Sequence, residues 1–167
     1  MGYVHDTGVS QFIGPLTMHV VTGTWTQAAG AVAGTIALHK AAAAQTSIIT
    51  IPITVPSNSA AQKGAYLKSI EIDYEILIAD LTTLTPVVNL VTRGADLAVA
   101  VVAAQVFTQS PTLALSAVVD QHKLVLTITT PFWMLNTQYV LCQLTAVAPA
   151  TTTIDLLGAV ANFTYRL

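Results

Sequence analysis

Apolar and polar side chains alternate with a period of two through most of the chain, in segments rich in Val, Ile and Thr that are separated by Pro, Gly, Asn and Ser. That period sends successive side chains to opposite faces of an extended strand. It predicts strands over about 17–26, 32–39, 47–55, 65–79, 87–93, 98–108, 113–119, 122–130, 137–146 and 154–166. Turn-forming clusters fall between them: PSNS at 56–59, RGAD at 93–96, Ser110-Pro111, DQH at 120–122 and APA at 148–150. Helical spacing is confined to AAGAVAG at 28–34, broken by two glycines, and KAAAAQ at 40–45, which allows one turn at most. Short strands with regularly spaced turns predict an all-β antiparallel sandwich of about 8–10 strands with little helix, or a closed antiparallel barrel. No linker divides the chain, so residues 1–167 are expected to form one sandwich domain, with about the first 15 residues as an extended arm.

Two segments indicate which face points inward. In 65–79 the residues Ile70, Ile72, Tyr74, Ile76 and Ile78 share a side, and in 122–130 Leu124, Leu126 and Ile128 do; these are the expected core. In the last segment Leu157, Ala159, Ala161, Phe163, Tyr165 and Leu167 form the more apolar face.

Alternation places three acids, Glu71, Asp73 and Glu75, on the side opposite the isoleucines. Successive members of such a row stand about 6.5–7 Å apart along a strand. A retaining glycosidase needs two carboxyls about 5–5.5 Å apart, and calcium needs about six to eight converging oxygens. With no second acidic cluster in the sequence, the row is read as a solvated or subunit-contact face, opposite Arg93, Lys123 or Arg166, ahead of metal binding or catalysis.

Aromatics supply the other candidate site. Pro131 is expected to end its strand, leaving Phe132 and Trp133 in a loop that leads to Tyr139, while Trp25 closes an earlier strand. Exposed at loop tips, Trp25, Phe132, Trp133 and Tyr139 would suit a carbohydrate- or ligand-binding module; the preferred alternative is a plug at one end of the core. The histidines His5, His19, His39 and His122 stand singly, without metal-ligand spacing. Ser10, His19 and Asp6 could be assembled into a triad on paper, but no G-x-S-x-G elbow accompanies them, and neither G-x-G-x-x-G nor a P-loop occurs. Cys142 lies in the apolar run TQYVLCQLTA and reads as a small buried hydrophobe. No catalytic, cofactor-binding or metal residue is expected, no cofactor, and no enzyme.

Composition then changes the picture. Asp, Glu, Lys and Arg make up 8% of the 167 residues and hydrophobic residues 53%. An ordinary soluble domain carries roughly 25% charged residues. Mean hydropathy is +0.66. The apolar residues are nonetheless not gathered into a span, since LAVAVVAAQVF at 97–107 is shorter than the roughly 20 residues a membrane helix needs. The start, MGYVHDTGVSQF, lacks the basic and apolar blocks of a secretory signal. The six basic residues Lys40, Lys63, Lys68, Arg93, Lys123 and Arg166 form no stripe, and net charge is −2, so neither nucleic acid nor membrane is an expected partner. About ten alternating strands would also fit a small outer-membrane barrel, but aromatics are only 7%, too few for two girdles.

Sheet proteins defend exposed faces and edges with charge. This chain has little, so much of its surface is expected to be covered by copies of itself or by another particle protein. The C-terminal third, HKLVLTITTPFWMLNTQYVLCQLTAVAPATTTIDLLGAVANFTYRL, runs strand, proline and aromatic loop, Tyr-x-Leu strand, then a closing strand ending Phe-x-Tyr. That layout resembles the end of small jelly-roll or sandwich proteins of phage and virus particles, of coat, decoration or fibre type. The resemblance implies a jelly-roll-like fold and a virion or other extracellular particle as location, and it carries no site residue across. The function expected is a non-enzymatic, self-assembling structural subunit.

Overall fold

A computed structural model describes residues 6–30, 34–55, 65–94, 99–117, 121–135 and 137–166. Twelve strands form among them: β1 (Asp6–Ile13), β2 (His19–Thr22), β3 (Thr26–Ala29), β4 (Ile36–Lys40), β5 (Gln45–Ile53), β6 (Ala65–Leu77), β7 (Thr83–Thr92), β8 (Val101–Gln105), β9 (Phe107–Ser110), β10 (His122–Met134), β11 (Gln138–Ala148) and β12 (Thr153–Arg166). One 3-10 turn, Pro15–Thr17, is the helical content among the described residues. All pairings are antiparallel.

A seven-stranded sheet runs β3-β4-β12-β6-β10-β9, with β1 also on β12, and a five-stranded sheet runs β2-β5-β11-β7-β8. The pairing order explains the arrangement. Strand β7 pairs with β8, β6 with β10, β5 with β11 and β4 with β12. The chain is thus one long hairpin, bent at β7–β8, whose two arms wind together so that successive pairs fall in opposite sheets. Pairing of β12 with β6 and β11 with β7 closes the roll. This is jelly-roll topology.

The inner faces meet in one apolar layer. Ile49, Ile51 and Ile53 of β5 and Val140, Cys142 and Leu144 of β11 are buried with Ile70, Ile72, Tyr74 and Ile76 of β6, Leu124, Leu126 and Ile128 of β10, and Ala159, Ala161, Phe163 and Tyr165 of β12. Each fully buried aliphatic side chain contributes about 1.5–3 kcal/mol. One end of the sandwich is capped by Lys40, whose ammonium donates to the carbonyls of Ala41 (3.0 Å), Ala43 (2.8 Å) and Thr152 (3.0 Å). All three protons of the buried cation are satisfied, while burial pulls its pKa below the ordinary lysine value.

Several expectations are corrected. The segment 17–26 is two strands, because Gly23 (φ +93°) turns the chain; a Cβ there would lie 2.5 Å from Ser47 Oγ. The segment 98–108 also divides, into β8 and β9. Residues 112–117 form no strand; Leu113 and Leu115 still pack on the core, and the Tyr74 hydroxyl donates to Ala114 O (2.9 Å). No helical turn occurs at 40–45, where β4 ends and β5 begins. Residues 6–13 of the expected arm lie along β12 in register from Asp6↔Arg166 to Ile13↔Ala159. Ile78 lies beyond β6 at φ +72°, and it is 76% exposed rather than core. Leu157 is pushed off the core face by a bulge between Leu156 and Gly158, so Ile154 and Leu156 point inward before it and Ala159 after it.

Candidate functional site

On the outer face of the seven-stranded sheet, side chains from four adjacent strands join. Ser10 of β1 donates to Asn162 Oδ1 of β12 (2.6 Å). Asn162 Nδ2 donates to Ser69 Oγ (3.1 Å) and Glu71 Oε1 (2.9 Å) of β6, and Lys123 Nζ of β10 donates to Glu71 Oε2 (3.0 Å). The bond from Lys123, then that from Asn162, holds the Glu71 carboxyl below its ordinary pKa. The bond to Glu71 and the nearby Asp73 charge raise Lys123 in turn. The expected acidic row is therefore present on one face, and of its proposed basic partners Lys123 engages it. Arg93 follows β7 in the other sheet.

Glu75 departs from the wet-face expectation. It is 4% exposed, its Oε2 is buried without a hydrogen bond, and it lies directly across from Asp155 of β12, also 4% exposed. Asp155 Oδ1 meets His39 Nδ1 of β4 at 2.5 Å. One further acid, Asp155, thus stands opposite the end of the row. Sequence separation concealed it, because Asp155 reaches Glu75 only through the β12–β6 register. Among the described residues no three of His, Cys, Asp and Glu converge to hold a metal ion.

The candidate aromatics are not collected on a loop. Strand β10 continues past Pro131 to Met134, because a register irregularity between Thr127 and Phe132 absorbs the proline, and pairing with β6 resumes at Phe132↔Leu67. Phe132 packs against the core; Trp133, next along the strand, faces outward and meets Tyr66 edge-on with ring centroids 4.7 Å apart. Tyr139 is on β11 of the opposite sheet, on the side away from the buried Val140 and Cys142. Trp25 lies between β2 and β3, half-buried against the core, with its Nε1 buried and unbonded. His19 is exposed on β2, His122 lies tilted against Tyr74 with ring centroids 5.2 Å apart, and His5 lies outside the described residues. A cavity of about 290 Å³ opens beside Tyr74, Leu113, Ala114, His122 and Lys123.

Charge is divided unequally between the sheets. Every Asp, Glu, Lys or Arg located in a strand belongs to the seven-stranded sheet: Asp6, Lys40, Lys68, Glu71, Asp73, Glu75, Lys123, Asp155 and Arg166. The strands of the five-stranded sheet contain none, and Asp80 and Arg93 lie beyond the ends of β7. This segregation, invisible before strand order is known, was missed from sequence. At the margin of the uncharged sheet, β8 pairs among the described residues on one side only, with β7. On it Val101 (65%) and Val102 (60%) are exposed, as are the flanking Val99 (88%) and Val106 (74%). No family model matches the chain, and no curated protein matches it.

Proposed function

We propose that the protein is a non-enzymatic, self-assembling structural subunit of a particle, as coat, decoration, surface-layer or filament component. One observation carries the reading: β8 is an unguarded edge strand, with exposed valines and without a charge, proline or bulge from Val101 to Gln105. Natural monomers blunt such edges because their unpaired N–H and C=O groups and apolar side chains template association. Scarcity of charge over the whole chain adds to it. Closed symmetry or a regular lattice is the physical means of covering such a surface with copies of itself.

Size-exclusion chromatography with light scattering on freshly purified protein tests this. The expected mass is a multiple of the 17.5 kDa chain. A homogeneous monomer at about 100 μM, well above the roughly micromolar dissociation constants of modest interfaces, overturns it.

A further inference from the structure

Self-assembly requires a surface, and the two sheets are unequally fitted to supply one. We propose that the outer face of the five-stranded sheet is an isologous interface, packed across a two-fold axis against the same face of a second copy; this rests on the self-assembly reading above. In such a contact each residue near the axis meets its own counterpart, so an isolated charge faces its own sign as water is removed. The outer face of the seven-stranded sheet carries the Glu71–Lys123 ion pair and Asp73, all of which would lose water in such a contact. The outer face of the five-stranded sheet carries no such charge.

Its central rows, by register, are Thr50–Gln143–Val87 and Ile48–Thr145–Thr85 across β5, β11 and β7. Their side chains are uncharged, largely β-branched, and half-buried or exposed. Apolar groups there can pack, while Thr and Gln exchange hydrogen bonds with their counterparts. Three central strands about 34 Å long and two edge strands about 15 Å long, spaced about 4.8 Å apart, give a face of roughly 630 Å². Two copies would bury about 1,260 Å², at the lower end of the roughly 1,200–2,000 Å² of a stable complex. The exposed Val102 of β8 extends the same patch at its edge.

Sedimentation velocity from about 1 to about 100 μM, on the intact chain, provides the test. Thr85→Lys and Gln143→Lys place a charge on this face, and Thr127→Lys places one at an exposed outer position of β10 in the other sheet. The expected result is that each of the first two weakens association about tenfold or more and the third leaves it within about twofold. If all three associate like the unmodified chain, or only Thr127→Lys dissociates, the interface is elsewhere and this inference fails, while self-assembly stands. If the unmodified chain is monomeric throughout, the self-assembly reading fails as well. Should the lysine variants misfold, hydroxyl-radical footprinting of the unmodified chain at both concentrations decides: Tyr139 and Leu141 protected on concentration supports the assignment, and protection confined to Tyr66 and Trp133 overturns it.

Discussion

Gly158 sits in the β12 bulge at φ +151°, in a region that side chains rarely enter. A Cβ there would stand 2.8 and 2.9 Å from ring atoms of Phe12 and 3.4 Å from Ile13 O. Phe12 is 66% exposed, so its ring can swing away, whereas the backbone cannot. Gly158→Ala is expected to lower stability by about 1–3 kcal/mol in urea unfolding, and the double variant with Phe12→Ala to recover only a minor part of it. Full recovery would assign the cost to the ring rather than to φ. Cys142 offers a second residue-scale check. Burial in the core pushes its thiol up to about 12, so at about pH 8 it holds its proton and is out of reach. A disulfide reagent is expected to leave it unmodified in the native protein and to label it on unfolding; labelling at the rate of a small thiol would mean that the core opens.

Between strands, the Ser10–Asn162–Glu71–Lys123 chain stitches β1, β12, β6 and β10 together. Because Glu71 has a lower pKa folded than unfolded, the unfolded chain takes up its proton first as pH falls. Its contribution is therefore complete above the ordinary glutamate range and disappears as pH drops through that range to the folded value. Urea midpoints are expected to fall between about pH 5 and about pH 3 more steeply in the unmodified chain than in Glu71→Gln. Equal slopes would show that the network adds nothing to stability.

Elements were legible where one face is apolar without interruption. Strands β5, β6 and β11 lie close to where Ile49, Ile51, Ile53, Ile70, Ile72 and Leu144 predict them. The misreadings are local and have causes. Pro131 signalled a strand end, yet an irregularity in β10 holds it inside the strand. Gly23 inside an alternating run marked a turn. The half-polar DTGVSQFI gave no periodic signal and became β1 only because β12 offers it a partner edge. The acids Glu71, Asp73 and Glu75 were correctly placed on one side, but Asn162, which bonds Glu71, and Asp155, which faces Glu75, come from β12, and no pattern within a single segment reveals a neighbour so distant.

For the whole molecule, the wound hairpin means that most contacts join distant parts of the chain, β4 with β12 among them. Such topologies fold slowly, on the order of milliseconds to seconds, and leave strand edges open meanwhile. Sparse charge makes that interval hazardous, and under the proposed self-assembly, association would remove the same surfaces from water.

The antiparallel register that sets Asp6 beside Arg166 brings the two ends of the described chain to one corner of the seven-stranded sheet. A peptide fused before β1 or after β12 would emerge from that corner in either case. Linking the two ends by a short loop and reopening the chain at an exposed turn would preserve every strand pair. If the uncharged sheet faces a second subunit, cargo attached at that corner would be borne by the opposite, charged sheet, clear of the contact.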